Sequence, residues 1–107
     1  MRDAVIVSAV RTAVGRAPRG QLSETPPDTL GMAAVREALA RAPGLEPAEV
    51  EDVVLGCAMP EGGQGLNVAR QVALGAGLPV SAAAMTVNRF CASGLQSLAL
   101  AHQSVVT

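Results

Sequence analysis

The chain has 107 residues, half of them hydrophobic, with one aromatic residue, two cysteines, one histidine and a formal net charge of −1. That length suits one small domain or part of a larger one, burying about two-thirds of its unfolded surface. Eight scattered arginines with no interleaved aromatics exclude a nucleic-acid stripe, and so few cysteines and histidines exclude a disulfide scaffold or a zinc site.

Ala4 to Val10 is a near-continuous apolar run, too short for a membrane span and without a convincing cleavage site. It reads as a first strand covered on both faces. The lack of a signal segment points to a reducing cytoplasm that keeps thiols free. Arg11 to Pro27 is polar and rich in Gly and Pro, hence a long loop. Its arginines Arg11, Arg16 and Arg19 suit a solvated surface or contact with an anionic ligand or partner domain.

Asp28 or Thr29 is placed to cap a helix running to about Arg41, with Leu30, Ala34, Val35 and Leu39 inward. Pro43-Gly44 stops it. Glu46 to Val50 suits one helical turn with Pro47 at its first position. Asp52 to Gly56 reads as a second apolar strand. Met59 to Leu66 is a glycine-bearing loop, and Asn67 to about Gly75 a short helix. Ala84 to Asn88 alternates as a third strand, and Leu95 to Val106 is a helix that is apolar on nearly every side. The order β-α-β-α-β-α predicts an α/β fold, a mostly parallel sheet with helices on both faces. A helix with that composition is expected to be buried all round, which three strands and two helices cannot achieve. The chain is therefore expected to be the N-terminal piece of something larger, or to need a partner.

Three places carry candidate chemistry. Cys91 stands at the junction of the third strand and the last helix, where the helix dipole is positive and a thiolate is favoured. The competing reading is a small buried apolar residue. Gly94 allows close approach by a ligand or another segment, and Ser93 with the Cys91 amide offers donors to an anion or thioester oxygen. His102 lies eleven residues further on, about 16 Å along a helix, too far to activate the thiol directly. Cys57 has only Glu61 as a nearby charge, of the wrong sign to favour a thiolate, and reads as structural. A redox pair of Cys57 and Cys91 is a further alternative. The loop Glu61 to Asn67 has neither a lysine nor the G-x-G-x-x-G or Walker spacing, so it reads as a tight turn bonded by polar side chains. Gln64, Asn67 and Arg70 remain within reach of a site or an interface.

Val87-Asn88-Arg89-Phe90-Cys91-Ala92-Ser93-Gly94-Leu95-Gln96 resembles the nucleophile motif of the thiolases. Val5 to Arg16 is similar to their first strand and loop, with Ala13 where proline is usual. Val53 to Glu61 and Gln64 to Arg70 also match. Ala17-Pro18-Arg19-Gly20 and Cys57-Ala58-Met59-Pro60 are more like the degradative 3-ketoacyl-CoA branch. Phe90 and Ala92 depart from the biosynthetic acetoacetyl-CoA branch.

The resemblance implies that Cys91 attacks the keto carbon of a 3-ketoacyl-CoA, holds the acyl group as a thioester and passes it to a second CoA. The Cys91 amide becomes one oxyanion donor. CoA and acyl-CoA are then substrates, with no permanently bound cofactor, no metal and no cofactor-binding residue assignable here. The family's activating histidine, second cysteine and water-positioning asparagine lie in its C-terminal half, together with most of its CoA-binding loop domain. Neither Cys57 nor His102 stands in those motifs. Residues 1–107 thus correspond to the first part of the N-terminal domain and are expected to be inactive alone. The alternatives are a biosynthetic acetoacetyl-CoA thiolase and a non-catalytic structural or interaction module that keeps this part of the fold without its chemistry. The resemblance also places the Cys91 helix centrally and implies a homo-oligomer paired through Ala84 to Asn88.

Overall fold

A computed structural model describes residues Met1–Thr107. The regular elements are helix α1 (Pro27–Ala40), strand β1 (Asp52–Gly56), helix α2 (Val68–Gly75), strand β2 (Ala83–Val87) and helix α3 (Ser93–Val106). Short 3-10 turns stand at Pro47–Glu49, Gly62–Gln64 and Phe90–Ala92. The two strands pair in parallel, with Asp52 opposite Ala83 and Gly56 opposite Val87. This is the α/β arrangement that the alternation of periods predicts, with one strand fewer.

The missing strand is Ala4–Val10. These residues enter no ladder, and Val5 and Ile6 are 75% and 80% exposed. Ala4 to Ser8 line two grooves, one with Leu95, Leu98 and His102 of α3 and one with Val35 and Leu39 of α1. Apolar character makes a segment suitable for a sheet interior, but a strand exists only through its neighbours' hydrogen bonds. The Ser8 hydroxyl is enclosed there without a hydrogen-bond partner.

Alternation along the strands distributes the helices over both faces. Val53 and Leu55 face α1 and α2, where they pack against the buried clusters around Val72 and Leu78. Val54 faces the other way, toward Ser97, Leu98 and Ala101 of α3. On β2, Thr86 faces α2 and its hydroxyl accepts a hydrogen bond from the Ala69 N–H at 3.0 Å. The same hydroxyl donates to Asn67 Oδ1 at 2.7 Å. This ties the start of α2 to the sheet.

α1 begins one residue earlier than its expected cap. Pro26 holds the cap position with no side-chain bond, and Pro27 occupies the first turn. Proline fits there because its φ is already helical and its absent N–H would have been unpaired. Asp28 instead accepts from the Thr29 N–H at 2.9 Å. α1 packs on α2 closely enough that a Cβ on Gly31 would meet Val72 Cγ2 at 2.7 Å. Arg36 donates to the Gly75 carbonyl at the negative end of α2.

The core is thin. Nine residues are buried, chiefly Val68, Ala69, Val72, Ala73, Leu78 and Ala82 between the α-helical pair and one sheet face. That falls short of the burial expected for an independent chain of this length. The other face carries only α3, whose sole buried residue is Ser93. Leu95 and Leu98 are 73% and 59% exposed. The central burial expected of this helix is therefore not present within residues 1–107; one side rests on β1, Ala4 to Ile6 share a groove with it, and Leu95 and Leu98 stay exposed.

Both strands are sheet edges. Ala83 N–H bonds to Glu51 O and Cys57 N–H to Val87 O, so the odd-numbered residues of β2 turn their peptide groups toward β1. Even-numbered residues turn theirs outward. Two of those outward carbonyls are taken by side chains of α2. Asn67 donates to Ala84 O at 3.0 Å, and Arg70 donates to Ala82 O at 2.5 Å.

Candidate active site

The ladder between β1 and β2 runs one residue beyond β1, through the Cys57 N–H to Val87 O bond of 2.9 Å. Immediately past it the chain turns through Asn88, Arg89 and the 3-10 turn Phe90–Ala92 into α3. Cys91 is in the middle of that turn, unpaired and exposed. It thus precedes the positive end of a 14-residue helix, as the sequence pattern predicts.

The turn is held by named contacts. Phe90 adopts φ +49°, the left-handed region that bulky residues avoid at a cost of about 1–3 kcal/mol. Both of its peptide groups are held. Its N–H donates to Asn88 Oδ1 at 2.8 Å, and its carbonyl accepts from Ser93 Oγ at 2.6 Å. Ser93 Oγ in turn accepts from the Arg89 N–H at 2.9 Å. Two such bonds contribute about 1 kcal/mol each, enough to offset strain of that size. Arg89 also reaches along α3 to Gln96 Oε1 at 2.7 Å.

The start of α3 rests directly on the end of β1. A Cβ on Gly56 would lie 2.5 Å from the Ser93 carbonyl carbon and 2.7 Å from the Gly94 nitrogen, so only glycine admits this approach. Gly94 itself has nothing within 4 Å of where a Cβ would stand. The space beside the Cys91 turn is open for a ligand or another segment.

Several expected site residues are placed otherwise. Ser93 is 4% exposed, with its hydroxyl bonded on both sides, so it does not serve as a donor to a bound anion. Its proton is committed to Phe90 O. The sequence signal for this is the pairing of Asn88 two residues before Phe90 with Ser93 three after it; both residue types bond locally to backbone. Cys57 is buried against Val68 and Val72, in keeping with a structural role. His102 lines the apolar groove beside Ala4 to Ile6. Gln64 donates to Met59 O at 2.6 Å, and Asn67 and Arg70 serve β2, so the loop before α2 is a turn fastened by polar side chains. None of the five principal grooves includes Cys91. No group of three His, Cys, Asp or Glu side chains is arranged to hold a metal ion, and no helix is long and apolar enough to cross a membrane.

A parallel sheet flanked by helices, with an exposed cysteine where a strand turns into a helix, defines an α/β domain that displays a thiol at a strand-to-helix junction. Residues 4–107 match the family described as Thiolase, N-terminal domain, and the chain belongs to that family. Among its relatives, the 3-ketoacyl-CoA thiolase of Bacillus subtilis (strain 168) is 50% identical over 106 residues, covering 99% of this chain and 27% of the relative. The 3-ketoacyl-CoA thiolase of Marinobacter nauticus is 42% identical, again over 99% of this chain and 27% of the relative. That of Saccharophagus degradans is 41% identical over 98% and 27%. The chain therefore spans about a quarter of the length of the curated relatives it matches.

Proposed function

We propose that residues 1–107 supply the nucleophile of a thiolase that cleaves 3-ketoacyl-CoA with CoA, giving acetyl-CoA and an acyl-CoA two carbons shorter, as in fatty-acid β-oxidation. The observation that carries this reading is the exposed Cys91, held in a braced turn at the positive end of α3, in a chain of the thiolase family. The Cys91 thiolate attacks the keto carbon. The bond between that carbon and the acetyl unit breaks, and the acetyl-CoA carbanion takes a proton and leaves. The acyl group stays on Sγ as a thioester. The thiol of a second CoA, losing its proton, attacks the thioester and frees Cys91. The Cys91 amide faces developing oxyanion charge with the helix dipole behind it.

Residues 1–107 offer no base for these steps, because His102 is the sole histidine and stands about 16 Å along the helix from Cys91. The exposed Leu95 and Leu98 of α3 and the lack of a principal groove at Cys91 support the same point. The acid, the base and the CoA-binding surface come from further protein, and the 107-residue chain alone is inactive. The outward edge of β2 supports pairing with a second copy through Ala84 to Asn88. The proposed setting is the cytoplasm.

A chimera tests this reading. Residues 1–107 replace the matching quarter of the Bacillus subtilis relative, and thiolysis of a 3-ketoacyl-CoA is followed. Turnover is expected, with Cys91→Ala lowering kcat on the order of 10⁴-fold or more. A folded chimera that turns over equally well with Cys91→Ala would remove Cys91 from the mechanism.

A further inference from the structure

We propose that Ser93 is a positioning residue for Cys91. It acts through the Phe90 peptide, and this rests on the reading of Cys91 as nucleophile. Ser93 is the one buried polar residue of the chain. Burial of a hydroxyl is favourable only when its hydrogen bonds are made, and here both are made to the turn that carries Cys91. The hydroxyl accepts from Arg89 N–H and donates to Phe90 O, bracketing the residue before the cysteine.

Phe90 needs that hold. Its φ of +49° is unfavourable for a side chain that is 72% exposed and gains little from packing. The Phe90 carbonyl also accepts from the Ser93 backbone N–H, so removing the hydroxyl leaves it one donor in place of two and loosens its hold on the left-handed angles. Cys91, its neighbour, would then rotate away from the helix axis. Ser93 is itself fixed, because its backbone sits in the notch left by Gly56 at the end of β1. The chain of support therefore runs from the sheet, through Gly56 and Ser93, to the Phe90 peptide and so to Cys91. Asn88 holds the preceding peptide, through the Phe90 N–H.

The test uses the full 107-residue chain and the rate of iodoacetamide alkylation at Cys91, read by mass spectrometry, with a circular-dichroism melt beside it. Ser93→Ala is expected to slow alkylation up to about tenfold, the rate equivalent of losing one hydrogen bond that holds the turn. Adding Phe90→Gly is expected to recover most of that loss, since glycine holds a positive φ without help. A folded Ser93→Ala chain that alkylates at the wild-type rate overturns the proposal, as does a loss that Phe90→Gly leaves untouched; either result makes Ser93 a stability residue only. If Ser93→Ala fails to fold, Asn88→Ala decides, because it removes the other tie from an exposed position. A slower rate supports the bracing, and an unchanged rate refutes it. Alkylation needs no CoA substrate, so an absence of thiolase turnover counts against the proposed function and not against the role of Ser93.

Discussion

Replacing Gly56 with alanine probes how α3 is seated on the sheet. The added methyl would stand 2.5 Å from Ser93 C, 2.6 Å from Ser93 O and 2.7 Å from Gly94 N. These are backbone atoms and cannot swing aside as a side-chain tip does. Ordinary contact begins at 3.4 Å, so the helix start must retreat by about 0.9 Å, and overpacking of this kind costs about 1–3 kcal/mol. Urea unfolding followed by circular dichroism measures it: the midpoint falls at constant slope if stability alone changes. Gly94→Ala is the internal comparison. Its Cβ would meet nothing within 4 Å, and within a helix alanine is favoured over glycine by about 1 kcal/mol, so this variant is expected to be more stable. A Gly56→Ala midpoint equal to that of the parent would mean that α3 does not rest on β1, and the account of the Cys91 turn would fall with it.

Other expectations follow from burial and bonding. Iodoacetamide on the native chain modifies exposed Cys91 and spares buried Cys57, which reacts only after unfolding; equal labelling of both would contradict their placement. Val72→Ala, at a fully buried position facing Gly31, costs about 2 kcal/mol of unfolding free energy, and a change below about 0.5 kcal/mol would deny it a core role. Thr86→Val leaves the Ala69 N–H and Asn67 without their shared partner and costs about 1–2 kcal/mol, measured by the same urea titration. Asn67→Ala should lose a similar amount, and the double variant should lose less than the sum of the two, since the residues share one network.

Local pattern was enough wherever an element is decided locally. β1 falls on Asp52–Gly56, as its apolar run predicts, and α2 spans Val68–Gly75, one residue short of the expected start at Asn67. β2 is shifted by one residue, to Ala83–Val87, and α3 is extended back to Ser93. Ala4–Val10 differs because its state depends on partners distant in sequence. The same run of valines and isoleucines is a strand or a loose arm according to what lies beside it. The placement of Cys91 between a strand and a helix was legible from the change of period around it. The bonding of Ser93 to the turn was not, because a serine near a helix start serves equally well as a donor to a ligand or to backbone. Only burial and the left-handed Phe90 distinguish the two.

The outer edge of β2 limits how another strand can join it. Any added strand must find outward-facing peptide groups, and the acceptors at Ala82 and Ala84 are already occupied by Arg70 and Asn67. Thr86 is the first outward position of β2 without such a tie. The two side chains therefore act as gatekeepers of register. They direct a newcomer to the end of the strand nearest Cys91 and discourage the many offset pairings by which bare edges build fibres.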